Sequence, residues 1–392
     1  MDIARLRAWW AHRQGLDGTL AGAGPAEVLE RTGWARSVGG SAPYLGLFAR
    51  AGLDRETVDR AVARLDIHEL PSARGCTYVL PAADFALGLA AGAGAPRGEI
   101  AQAVRHLGVT ADEIDTLALA VVGAIDAAGR PLDPAAIKAA VGDAARSLGE
   151  AGRKRGTAGT LPLALGLLQA EGRIRRVPAD GRLDRQRFSY TTWAAPDGAP
   201  EDVATALARR YFAWAAPASL KHFRWFSGLT AAAAKAAVAP LGLVAVEGTD
   251  LLIPPELAVE LAAFEPPGEP VYTLVAGIDG IHLLHRDLGR LLDPEDAARP
   301  APGERAGATL GAQADPPCHL VTDRGRIVGL WEFDPEAGEI VTSLFVPADD
   351  ALRAEIERTR AYARDQLGDV RSFSLDTPKS RAPRLAALRL AR

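Results

Sequence analysis

An α+β fold is predicted, built from repeated helix-then-hairpin modules and closed by a β-rich C-terminal part. Three observations predict it. Stretches with helical periodicity are followed by two short strand-like runs around a turn, and this happens three times. From about residue 270 the pattern changes to successive apolar strands. The chain has 392 residues, 48% hydrophobic and 24% charged, enough for several cores of ordinary globular composition.

The chain begins with "MDIARLRAWWAHRQGL", an amphipathic helix with Ile3, Leu6, Trp9 and Trp10 on one face. In the first module "GPAEVLERTGWARS", "APYLGLFAR" and "DRETVDRAVARL" read as helices, with Asp54 as an N-cap. "IHEL" and "TYVLP" follow as strands joined through "PSARGC". A Gly/Ala-rich break, "AAGAGAPRG", leads to the second module. Its helices are "DEIDTLALAVVGAIDAAG", "DPAAIKAAVGDAARSL" and "GTLPLALGLLQAEG". Its strands "RIRRV" and "RQRFSY" pair across "PADGRLD", where Pro178 and Asp180-Gly181 supply turn chemistry. The third module runs through "EDVATALARRYFAWA", "PASLKHFRWFSG" and "TAAAAKAAVAPLG" to the hairpin "LVAVEGTDLLIP". Helices followed by a β-wing are the winged-helix pattern, although the three copies share no detectable repeat.

Beyond these, "VYTLVAG", "IHLLHRDL", "CHLVTDRGRIVGLWEF" and "GEIVTSLF" read as strands, with a long polar connection at 293–316. A charged helix, "DDALRAEIERTRAYARDQL", and a basic tail close the chain. The expected divisions are 1–95, 96–198 and 199–265 for the three winged helices and 266–392 for the β-rich domain. Cys76 and Cys318 lie outside any CxxC and are too few for a disulfide framework. No apolar run reaches membrane-spanning length, and the N-terminus lacks the order of a signal peptide. A reduced, cytoplasmic setting is expected, with no membrane partner. No P-loop, GxGxxG or zinc-finger spacing appears, so no cofactor or metal is expected.

Charge is distributed unevenly. Between residues 153 and 187, eight arginines and one lysine face only Glu171, Asp180 and Asp184, a local net of +6. The chain's net charge of −4 then leaves −10 for the remainder. Such asymmetry is the footprint of a polyanion site. The cationic residues are Arg153, Lys154, Arg155, Arg173, Arg175, Arg176, Arg182, Arg185 and Arg187. On a wing they are placed to contact phosphates, which positions a protein on nucleic acid without reading its sequence.

Several stretches together resemble the AlkZ/YcaQ-type family of winged-helix DNA glycosylases. They are "HRQGL" at 12–16, "APYLGLFAR" at 42–50, "ARGCTYVLPAADF" at 73–85, "RRYFAWAAPASLKHFRWFSGL" at 209–229 and "RGRIVGLWEF" at 324–333. The resemblance implies tandem winged helices, a β-rich C-terminal part, and removal of bulky alkylated bases or crosslinks from DNA. It also implies a catalytic pair, Gln-x-Gln or Gln-x-Asp, shortly before the segment like "APYLGLFAR". Spacing two puts both side chains on one side of an extended backbone, where they hold a water against the sugar.

Counting back from that segment places the slot at Arg36, Ser37 and Val38. Aligning on the preceding "GG" places it at Ser41, Ala42 and Pro43. Neither register supplies the pair, and residues 31–50 contain no Gln, Asp, Glu, Asn or His. A guanidinium is a poor general base, and neither Ser37 nor Ser41 has a basic neighbour in sequence. Asp84 is one of the few nearby carboxylates, although as a helix N-cap it needs no catalytic role. Three readings stay open: a glycosylase with relocated catalytic residues, a non-catalytic binder that senses or shields lesions, or a DNA-binding role such as transcriptional regulation. Whether the chain is an enzyme is therefore undecided from sequence. A monomer on duplex DNA, alkylated in the glycosylase reading, is expected.

Other chemistry is weak. His282 and His285 would face opposite sides of a strand, and Cys318 and His319 point apart as strand neighbours. His12, Arg13 and Gln14 end a helix that Gly15 would cap, or line a cleft. The aromatics Tyr211, Phe212, Trp214, Phe223, Trp225 and Phe226 read mostly as core.

Overall fold

The structure is a computed structural model describing residues 2–38, 40–185, 187–305, 307–371 and 376–390. It is α+β, with three helix-then-hairpin modules and a C-terminal antiparallel sheet. In the first module, helices Pro25–Thr32, Ala42–Ala51 and Arg55–Ala63 alternate with strands β1 (Ala35–Arg36), β2 (Ile67–Pro71) and β3 (Thr77–Pro81). The strands order β1-β3-β2, so the hairpin's second strand sits in the centre. Asp54 caps the third helix, accepting from the Thr57 amide at 2.7 Å.

The second module repeats this order with helices Ala111–Ala128, Pro134–Val141 and Thr160–Ala170 before β4 (Ile174–Pro178) and β5 (Phe188–Thr192). Leu132 bridges to Tyr190 where the first strand belongs. The β4–β5 register runs from Ile174↔Thr192 to Pro178↔Phe188, the pairing expected across "PADGRLD". In the third module, helices Val203–Ala215, Leu220–Ser227 and Ala231–Val238 surround β6 (Ala218–Ser219), β7 (Val244–Ala245) and β8 (Leu251–Ile253), ordered β6-β8-β7. One topology therefore serves all three.

The C-terminal sheet joins β9 (Tyr272–Val275), β10 (His319–Asp323), β11 (Arg326–Asp334) and β12 (Glu339–Leu344) in the order β12-β11-β10-β9. Four expectations are corrected. The helix read through "GPAEVLERTGWARS" ends at Thr32, and its last residues form strand β1 instead. "IHLLHRDL" is not a strand: a short helix spans Gly280–Leu283, capped by Asp279, which accepts from the Ile281 amide. The Gly/Ala-rich break lies within helices Phe85–Gly92 and Gly94–Leu107, stabilised by packing against neighbouring helices. The basic tail forms helix Pro378–Leu390 on β11 and β12, where Arg381 bonds Asp369 at 2.7 Å and Arg389 bonds Asp334 at 2.5 Å. Its arginines are neutralised by carboxylates, and Arg381 is buried.

Three cores hold these parts. One joins the N-terminal helix, the first module's hairpin, the third module and the C-terminal sheet, through Trp9, Trp10, Trp34, Tyr211 and Trp214 among others. Trp9 and Trp10 donate to the carbonyls of Ala216 and Pro217. A second lies between the first module's helices and the other face of the C-terminal sheet. The third belongs to the second module, from Ile100 to Tyr190.

Candidate nucleic-acid interface and motif slot

The first module's sheet sets the slot by parity. Ala35 pairs Val79, which pairs Glu69; Arg36 pairs Tyr78, which pairs Leu70. Alternation therefore puts Ala35, Ser37 and Glu69 on one face, and Arg36 on the other. The Ser37 amide extends the ladder to the Thr77 carbonyl at 3.0 Å. Ser37, buried, donates its hydroxyl to Glu69 Oε1 at 2.5 Å. Arg176 from β4 donates to Glu69 Oε2 at 3.1 Å. The serine that lacked a basic neighbour in sequence thus has one in space.

Arg36 lies on the opposite face, 5.2 Å from the centre of the Tyr78 ring. Burial lowers its pKa, and its Nη1 is buried without a hydrogen-bond partner among the described residues. Beside it is a cavity of about 30 Å³. Gln14, Trp34, Arg50 and Asp279 also line it. There Arg50 makes two 2.8 Å bonds to Asp279 and a 3.0 Å bond to Gln14, a buried bidentate charge pair. Val38 is half-buried, and Ser41 is buried, its hydroxyl without a hydrogen-bond partner among the described residues and with no cap bond to the following helix.

Asp84 stands at the N-cap position of helix Phe85–Gly92, but its side chain does not cap it. The carboxylate accepts from Trp34 Nε1 at 2.8 Å and pairs with Arg210 at 2.6 Å. The one-turn helix before it, Ala82–Asp84, delivers the buried carboxylate inward. Gly15, at φ +64°, follows the N-terminal helix as expected for its cap, while His12 bonds Asp17 and Arg13 the Ala213 carbonyl.

The basic wing divides in two. Arg153, Lys154 and Arg155 do not belong to the hairpin: the first two lie on the helix Gly149–Lys154 and Arg155 ends it, all three exposed and Lys154 beside Glu150 at 2.7 Å. Along the hairpin segment, Arg185 and Arg187 are exposed and Arg173 and Arg175 half-buried. Two members face inward. Arg176 holds Glu69 and stacks over Phe188 at 4.2 Å. Arg182 bonds Asp184 and donates to the Leu367 carbonyl at 2.9 Å. Between them Leu183 is buried, its amide donating to the Tyr44 hydroxyl at 2.9 Å, and Tyr44 donates to Asp59. The wing tip is thus docked on the body.

Burial pushes His68, His285 and His319 down to about 3. His282 and His285 sit on or beside a helical turn, not on a strand, and His285 bonds the Ala215 carbonyl. Burial raises the Cys318 thiol far above its usual range, so it is no nucleophile. Among the described residues no group of three or more His, Cys, Asp or Glu could hold a metal ion, and no helix is long and apolar enough to cross a membrane. Tyr211, Phe212, Trp214, Phe223 and Phe226 are core, whereas half-buried Trp225 carries Arg74 and Arg286 at 4.4 and 4.6 Å from its ring centre.

Sequence reasoning missed Glu69 altogether. Its only signal was a lone carboxylate in the strand "IHELP", 32 residues from Ser37.

Comparison with known proteins agrees with this fold. The family model described as DNA glycosylase AlkZ-like matches residues 30–364. The solved structure of the Streptomyces sahachiroi DNA glycosylase AlkZ superposes with a TM-score of 0.69 at 22% identity. The alignment covers 95% of this chain and 98% of that one. No curated protein matches.

Proposed function

From the premise that this chain belongs to the AlkZ-like family of DNA glycosylases, we propose that it binds duplex DNA and hydrolyses the N-glycosidic bond of alkylated bases. One observation carries the reading: β4 of the basic wing is tied to the motif slot through Arg176, Glu69 and Ser37. Phosphate-binding arginines and the slot therefore share an edge, so backbone contacts register the sugar against the slot. A base alkylated at a purine ring nitrogen is already a good leaving group. What remains is to place water and stabilise an oxocarbenium-like centre. The protein acts as a cytoplasmic monomer, with 1–95, 96–198 and 199–265 as winged helices and 266–392 as the β-rich domain.

The test is incubation with duplex DNA containing N7-alkylguanine, scoring alkali-labile abasic sites over time. Excision above the spontaneous rate is expected. Tight, salt-sensitive binding without excision would overturn the hydrolytic reading in favour of a lesion-shielding or regulatory DNA binder. One feature favours that second reading: residues 31–50 contain no glutamine or carboxylate.

A further inference from the structure

We propose that Glu69 is the proton acceptor for the attacking water, with Ser37 as the relay between them. The inference rests on the excision reading above. A carboxylate on the neighbouring strand thereby does the work that a local polar pair would do.

Geometry supports each role. Ser37 sits in the slot with its backbone fixed to Thr77 and its hydroxyl already donated to Glu69 Oε1 at 2.5 Å. That leaves the serine oxygen's lone pairs to accept a water proton. Arg176 grips the other carboxylate oxygen at 3.1 Å, fixing the rotamer. The side chain of Glu69 is only 11% exposed, a setting in which a positioned base is effective. The charged and titratable groups that act on it are Arg176 and Tyr190.

The step balances. Water oxygen bonds to C1′ as the C1′–N9 bond breaks. Its electron pair passes into the cationic N7-alkylguanine, which leaves neutral. The water's proton moves to Ser37 Oγ as the serine's own proton moves to Glu69 Oε1. Glu69 then returns the proton to solvent.

The experiment compares wild type, E69Q, E69A and S37A in single-turnover excision on the N7-alkylguanine duplex, with duplex binding and thermal melting measured alongside. E69Q should excise about 100-fold more slowly while binding duplex within a few-fold of wild type. Formate should restore part of the rate to E69A, which a merely structural glutamate would not allow. S37A should lose about 10-fold. If E69Q fails to fold, S37A carries the test, because it leaves the Glu69–Arg176 bond in place. Wild-type rates in E69Q or S37A, or slow variants with no formate rescue of E69A, overturn this assignment and leave excision standing. An inert wild type overturns the excision reading as well.

Discussion

The first and second modules share one topology and use it in opposite ways. In the first, the third helix buries only Val58, Ala61 and Val62 of its nine residues, while the hairpin lies between two cores, with four of five β3 residues buried. In the second, nine of the eleven residues of helix Thr160–Ala170 are buried, while β4 and β5 each bury only one residue. The helix that a winged-helix module usually offers to DNA is therefore spent on packing, and the hairpin is what faces outward. The difference teaches that topology leaves open which surface recognises a partner; burial decides it.

The largest expected effect tests whether the modules differ in stability as they do in exposure. Burial holds His68, His285 and His319 near 3 and His222 near 4, below the ordinary 6.5, and all four lie outside the second module. The unfolded chain therefore takes up protons first as pH falls. Stability is complete above about pH 6.5 and declines towards pH 3–4, by about 2 kcal/mol per histidine at pH 5. Six of the seven tryptophans lie outside residues 96–198, and the seventh, Trp193, packs against His68 and Phe85 of the first module. Acid titration should thus change tryptophan fluorescence at higher pH than it removes the last helical circular dichroism. Coincident transitions would break the comparison.

Next in size, Leu168→Ala in the buried helix should cost about 2–5 kcal/mol in denaturant unfolding. A cost under 1 kcal/mol would mean that the helix is not packed as described. Smaller in energy is the triple change of Arg175, Arg185 and Arg187 to Ala. It should weaken duplex binding about 10- to 100-fold at low salt, equally for all sequences, and lower the salt slope by about 3. A sequence-selective loss would contradict a backbone role. The smallest effect sharpens the contrast. Arg60→Ala, on the first module's exposed third helix and paired with Glu56, should leave duplex affinity within about two-fold. A ten-fold loss would hand recognition back to that helix.

Legibility followed the range of the forces. The β4–β5 hairpin was readable because its turn chemistry and alternating strands are local. Strands β1 and β6, two residues each, and the Leu132 bridge were not, because a period of two needs several residues to show itself. Residues 280–285 read as strand from apolar content; Asp279, also gripped by Arg50 from the first module, turns them helical. Asp84 sits at a helix start but answers to Trp34, 50 residues away, and to Arg210. In the slot the sequence displayed an absence. What fills it, Glu69, arrives through sheet register, which no local pattern encodes.

Leu183 has a kinetic meaning. With the hairpin's base continuous with the second module and its tip plugged beside Tyr44 and Leu367, the segment between is tethered at both ends. In the complex proposed above, its arginines would meet a duplex from a scaffold already tied to the body, so little chain entropy would be lost on docking. Such a rigid cationic comb favours rapid capture steered by long-range attraction over slow folding around the partner. Loosening the plug would trade that speed for adaptability.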